Sequence, residues 1–159
     1  MNLALICVGR LKERYWREAA AEYEKRLSRF GKFETVELPD LPEPANSSPA
    51  IEGQIREREG EAILAKIPAG SYVIALCVEG SLRSSEELDA LVKNCALQGK
   101  SRLCLIIGSS FGLSETVKRR ADLRLSMSPM TFPHHLARVM ALEQLYRAFS
   151  INGGSRYHK

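Results

Sequence analysis

The chain has 159 residues, of which 45% are hydrophobic and 26% charged, with a net charge of +4 and a pI of about 9.0. This is enough material for one domain spanning residues 1–159 with a proper core. It excludes a disordered or fibrous chain, and no apolar run reaches the length of a membrane span.

In chain order, "LALICV" is a short apolar run and reads as a buried strand. "ERYWREAAAEYEKRLSRF" follows with helical spacing, Tyr15, Ala19, Tyr23 and Leu27 recurring on roughly one face. "KFETVEL" alternates and reads as a strand, and "PDLPEPANSSPA", rich in proline, reads as a loop. A charged helix is expected from about Ile51 to Lys66, then a continuous apolar strand, "SYVIALCV". "SSEELDALVKNCALQG" carries a start signal, Ser84 three residues before Glu87, and a stop at Gly99. "RLCLIIG" is a third apolar strand, "SETVKRRA" a short helix and "DLRLSMS" a last strand. The closing helix starts near Pro133, where a proline is tolerated because first-turn N–H groups lack helical partners. Strands alternate with helices, and the central strands are apolar without alternation. The expected fold is therefore α/β, a mostly parallel sheet with helices on both faces. The last helix is apolar on more than one side, through Leu136, Val139, Met140, Leu142, Leu145, Tyr146 and Phe149. Burial of one of those sides against a second copy of the chain, a homodimer, is the expectation.

Nothing at the amino terminus resembles a secretory signal, and the cysteines fit a reducing compartment, so a cytoplasmic location is expected. Cys7, Cys77 and Cys104 sit in apolar runs, Cys95 lies in a helical pattern, and no C-x-x-C spacing occurs. These read as core residues, without a zinc site or a redox dithiol. Basic residues come in groups: Arg10 to Arg17, Lys25 to Lys32, and Lys118 to Arg124. That pattern permits nucleic-acid contact and equally fits solvated helix faces.

Several stretches bear on chemistry. "IIGSSFGLS" joins a buried strand to a short helix through Gly108 and Gly112. Ligands of parallel α/β sheets bind beyond the carboxyl ends of strands, although a tight turn without a ligand reads equally well. No phosphate-loop or dinucleotide fingerprint is present. "LSMSPMTFPH" is poor in charge and rich in sulfur, hydroxyl and aromatic groups. It suits either a wrap around an adenine-like ring or an ordinary loop on the core. Glu79 and Gly80 mark a further strand end, which beside the other two would complete one pocket. His134 and Arg138 share a helix face, as do Glu143 and Arg147; both read as surface ion-pair spacing or as functional charge on an apolar helix. The adjacent His134 and His135 lack metal-ligand spacing. The tail "SRYHK" offers Arg156 for phosphate, Tyr157 for stacking and His158 for proton transfer, unless it is a frayed terminus.

Taken together, "YWREAAAEYEKRL", "LIIGSSFGLS", "MTFPHHLARVMALEQLYRAFSI" and the terminal "YHK" resemble the large-subunit ribosomal RNA methyltransferase H family along the whole chain. The resemblance implies an α/β trefoil-knot fold of the SPOUT class, with the last third threaded through a loop. It implies a homodimer that methylates N3 of a pseudouridine in 23S ribosomal RNA on the assembled ribosome, using S-adenosyl-L-methionine. By matching position, the cofactor site would comprise Leu76, Gly108, Met127, Ser128, Pro129, Met130, Thr131 and Phe132. Arg138, Glu143, Tyr157 and His158 match positions tied to activity, and His134 and Arg156 would meet the RNA, with no metal involved. This chain departs from the family pattern at Ser109, where a second glycine is usual, and at Phe111, where the family tends to be polar or acidic. Rival readings are a knotted methyltransferase acting on another RNA, a non-catalytic ribosome-binding factor, and a generic nucleotide-binding domain.

Overall fold

The computed structural model describes residues 1–152. Five strands and five helices follow one another as β1 (Asn2–Val8), α1 (Arg14–Leu27), β2 (Phe33–Leu38), α2 (Pro49–Leu64), β3 (Tyr72–Leu82), α3 (Ser85–Leu97), β4 (Arg102–Ile107), α4 (Glu115–Arg120), β5 (Leu123–Ser126) and α5 (His134–Asn152). The sheet order is β2-β1-β4-β3-β5, and every neighbouring pair is parallel. The α/β class and the parallel sheet expected from the apolar strands are both present.

Alternation along the central strands sends side chains into two cores, one on each face of the sheet. Leu3, Leu5 and Cys7 of β1, Ile74 of β3 and Leu103, Leu105 and Ile107 of β4 pack with residues of α1, α3 and α5. Ala4, Ile6, Val8, Val73, Ala75, Cys104 and Ile106 point the other way, toward Ile63 of α2 and Val117 of α4. Both faces are covered, which is why these strands read as unbroken apolar runs.

Local chemistry sets the helix ends. Ser84 caps α3 in a reciprocal box: its hydroxyl accepts from Glu87 N–H at 3.2 Å, and Ser84 N–H donates to the Glu87 carboxylate at 2.7 Å. Helix α2 begins earlier than expected from its charge pattern. Ser48 accepts from Ile51 N–H at 3.3 Å, and Pro49 occupies the first helical turn, where its missing N–H costs nothing. The inner face of α1 differs from the expected one. Trp16, Ala20, Tyr23 and Leu27 turn inward, whereas Tyr15 is 62% exposed. The helical period holds, but its phase is set by how the chain leaves β1, which a period alone does not fix.

Strand β3 also runs beyond its expected end at Val78. After Leu76 the register shifts, and Ser81 and Leu82 pair again with Leu125 and Ser126 of β5. Gly80 sits at the join. A Cβ there would lie 2.6 Å from the Leu125 carbonyl carbon, so only glycine lets the two backbones approach. Gly80→Ala is expected to lower the stability of the fold by about 2 kcal/mol. Urea unfolding of the two proteins, followed by circular dichroism, measures this; a midpoint unchanged by the substitution would contradict the packing.

Candidate functional site

At the carboxyl ends of β3, β4 and β5 the chain forms a cavity of about 940 Å³. That is near the upper end of the range usual for small-molecule sites. Its wall has five parts: Leu76 to Glu79 from β3; Ile107 to Leu113 from β4 and the turn after it; Glu115 and Lys118 from α4; Ser126 to His135, Pro129 excepted, with Ala137, from β5, the following loop and the start of α5; and Gly53, Arg56 and Glu57 from α2. Parallel pairing explains the convergence. Leu76 of β3 is opposite Ile107 of β4, and also opposite Leu125 of β5, so three chain segments leave the sheet at one edge.

Of the residues singled out in the sequence, Leu76, Gly108, Met127, Ser128, Met130, Thr131, Phe132 and His134 all line this cavity. Pro129 lies in the same loop, exposed, and is not part of the wall. Glu79 is in the wall, whereas Gly80 is spent on the approach to β5. Arg138 is not in the wall. It is buried, and its guanidinium donates to the Glu37 carboxylate at 2.9 Å. Glu143 pairs with Arg147 at 2.5 Å and accepts from the Gln144 amide at 2.7 Å. Gln144 in turn accepts from Ser85 Oγ of α3 at 2.6 Å. Arg156, Tyr157 and His158 lie outside the described residues.

The turn after β4 is tightly built. Gly108 is buried, and a Cβ on it would stand 2.8 Å from the Gly112 carbonyl oxygen and 3.0 Å from Leu113 Cδ2. Gly112 has φ +79°, which favours glycine, and its N–H donates to the Ser109 carbonyl at 2.9 Å. In the loop after β5, Ser126 Oγ donates to the Ser128 carbonyl at 3.0 Å. Ser128 Oγ accepts from Met130 N–H, also at 3.0 Å, folding the loop back on itself.

Electrostatically the wall carries three carboxylates, Glu57, Glu79 and Glu115, against Arg56 and Lys118. Lys118 is held between Glu79 and Glu115. Burial alone would lower its pKa, but hydrogen bonds and charge from the two carboxylates outweigh that and raise it, while Lys118 holds Glu79 below its usual range. Two of the three carboxylates are thus engaged with the lysine, and the wall suits a neutral or cationic ligand better than a phosphate. Apolar groups from Leu76, Ile107, Leu113, Met127 and Phe132 face the same space, as a flat heterocycle requires. Among the described residues no group of acids, histidines and cysteines could hold a metal ion.

His134 stands against Gly9 at the end of β1, where a Cβ would lie 3.4 Å from its ring. Its ring is 3.9 Å from that of His135. Burial, then the neighbouring His135, lowers its pKa, with Arg138 adding to the effect and Asp40 opposing it. Sequence spacing did not reveal Glu37, Arg56, Glu59 or Lys118, because each meets the site through contacts between distant elements. Glu37 and Arg138, for example, are 101 residues apart.

A parallel α/β sheet with a cavity at the carboxyl ends of three strands has its ligand site where such folds usually place one. The family described as "Predicted SPOUT methyltransferase" matches residues 1–158, and the chain belongs to that family of methyltransferases. Within it, the chain is 52% identical over its full length to the Ribosomal RNA large subunit methyltransferase H of Clostridium novyi, covering 100% of each. It is 49% identical to the protein of the same name from Bifidobacterium animalis subsp. lactis, again over 100% of both chains. A solved structure from Neisseria gonorrhoeae, described as a methylase family protein, is similar at a TM-score of 0.57 over 91% of this chain and 81% of that one. At 14% identity it speaks for the fold alone.

The direction of the His134 shift gives a test. Its folded pKa lies below its unfolded value, so the unfolded chain binds more protons. The stability contributed by neutral His134 is present above pH 6.5 and is lost as pH falls through the folded pKa. NMR titration of the ring is expected to give a midpoint below 6.5, and His134→Gln to flatten the fall of melting temperature on the acid side. A midpoint above 6.5 would contradict the burial seen here.

Proposed function

We propose that this chain methylates N3 of a pseudouridine in 23S ribosomal RNA on the assembled ribosome, using S-adenosyl-L-methionine. The observation that carries the reading is the meeting of Leu76, Gly108 and Thr131 in one cavity, in a chain about half identical to proteins named for that RNA subunit. The donor supplies a methyl group on a positively charged sulfur. The cavity suits it in size, apolar lining and acidic tendency, and the lack of a phosphate loop is no obstacle.

The protein's part is mainly positioning, because the acceptor nitrogen must stand in line behind the methyl carbon. The β4–α4 turn, Leu76 and the loop from Met127 to Phe132, Pro129 excepted, would hold the donor. The N3 proton must leave, and a base working near neutrality serves this. His158 takes it in this reading, Tyr157 holds the nucleobase, and Arg156 and His134 meet the RNA. Arg138 acts from behind the wall: paired with Glu37, it fixes the first turns of α5, which carry His134. Further along, Glu143 pairs with Arg147 within α5 and accepts from the Gln144 amide, whose oxygen meets Ser85 of α3.

The chain acts as one domain, residues 1–159, and as a homodimer in the cytoplasm. A half-buried stripe on α5, formed by Leu136, Val139, Met140, Glu143 and Arg147 at helical spacing, supports the dimer. The threading of the last third into a trefoil knot is part of the same reading. It is supported by family membership. Among the described residues no helix is long and apolar enough to cross a membrane.

The direct test is incubation of intact ribosomes lacking the modification with methyl-labelled donor, followed by mass spectrometry of the RNA. Label at N3 of a pseudouridine is expected. Label only on deproteinised RNA would move the substrate, and no label with measurable donor binding would leave a binding factor. Removing residues 155–159 is expected to abolish methylation while leaving donor affinity within about threefold by calorimetry. Light scattering at micromolar concentration is expected to show a dimer; a monomer would contradict the α5 interface.

A further inference from the structure

Helix α2 carries a carboxylate that the chemistry above does not use. Glu59 is 4% exposed, sealed between α2, the start of the proline-rich loop and the turn after β4. A buried carboxylate is costly unless its lone pairs are met, and here two donors reach it from different parts of the chain. Ser109 Oγ donates to Glu59 Oε2 at 2.7 Å, and Leu41 N–H donates to Glu59 Oε1 at 3.3 Å. The Ser109 hydroxyl also accepts from Phe111 N–H at 3.3 Å, so its donated proton is committed to Glu59 while its lone pair orients the turn.

The neighbouring residues of α2 grip the same turn. Arg56 donates to the Phe111 carbonyl at 3.4 Å. Gly60 packs so closely that a Cβ on it would lie 2.3 Å from Ser114 Oγ, the cap of α4. Thr116 Oγ1 of α4 donates to the Glu57 carboxylate at 3.2 Å. One face of α2 thus clasps the segment from Ser109 to Thr116, which forms one wall of the cavity. The Ser109 hydroxyl gives this clasp a side-chain anchor that a glycine could not offer.

We propose that Glu59 is a positioning residue for the methyl donor, holding the Gly108–Gly112 turn in its donor-binding shape through the Ser109 hydroxyl. It touches neither donor nor RNA. Its effect is to remove freedom from the turn before the donor arrives, so the donor need not supply the energy of ordering it. The inference rests on the methyltransferase reading of the cavity.

The experiment compares S-adenosyl-L-methionine affinity, by calorimetry, for the full chain and for Ser109→Ala, Glu59→Gln and the double variant. Ser109→Ala removes a single oxygen and is expected to keep the fold, checked by circular dichroism. It is expected to weaken donor binding about tenfold, as loss of one hydrogen bond to a charged group allows. The donor KM is expected to rise with kcat at saturating donor preserved, and with the KM for ribosomes unchanged. The double variant is expected to bind no more weakly than the weaker single variant, because both changes break one contact. Donor affinity within about twofold of the parent in folded Ser109→Ala overturns the proposal, as does full additivity in the double variant. Failure of the parent chain itself to bind the donor is a different result: it removes the donor reading of the cavity, and this inference falls with it.

Discussion

The double pairing of strand β3 is the constraint on which the site depends. β3 lies between β4 and β5, parallel to both, and keeps this position through a register shift after Leu76. Leu76, Ile107 and Leu125 therefore stand side by side at one edge, and the segments that follow them have nowhere to go but around a common hollow. Backbone contact does much of this work. Asp122 is tied to Val73 in both directions, its N–H donating to the Val73 carbonyl at 2.8 Å and its carboxylate accepting from Val73 N–H at 2.7 Å. Gly80 then lets β5 close against the far end of β3.

Upon that frame the side chains set an environment rather than a catalytic group. Among the described residues the cavity holds no activated nucleophile. Cys77 is in the wall, and its thiol is pushed up by burial, away from reactivity. Lys118 is compensated by its two carboxylates, and His134 is biased toward its neutral form. Such a wall receives a ligand that brings its own reactivity, which agrees with membership of a methyltransferase family.

Much of the fold was legible in the sequence because burial on both faces leaves a simple mark. The runs LALICV, YVIALC and RLCLII have no polar alternation, and each proved to be a central strand with both faces covered. All four cysteines read as core; Cys7, Cys95 and Cys104 are buried, whereas Cys77 is half-buried in the cavity wall, and burial pushes the thiols of Cys7 and Cys104 up to about 12. What escaped was whatever depends on distant partners. Glu-Gly-Ser after Val78 looks like a strand end, and only β5 draws it back into the sheet. Arg138 looks like a charge available for RNA, yet Glu37 of β2 holds it inside. Glu59 lies in a run of charge, "REREGE", where nothing local separates a buried carboxylate from solvated ones. The segments of the cavity were legible as strand ends; their meeting relied on the family resemblance.

The length of α5 bears on how the carboxyl-terminal residues could be used. It is a single helix of 19 residues whose first turn forms the cavity rim. At 1.5 Å per residue its two ends stand about 27 Å apart. His158 is only six positions past Asn152, and six fully extended residues reach about 22 Å. Six residues of backbone therefore span less than α5 itself does. On the proposed reading, in which His158 serves the donor, the length of α5 favours supply of that side chain by a second copy of the chain.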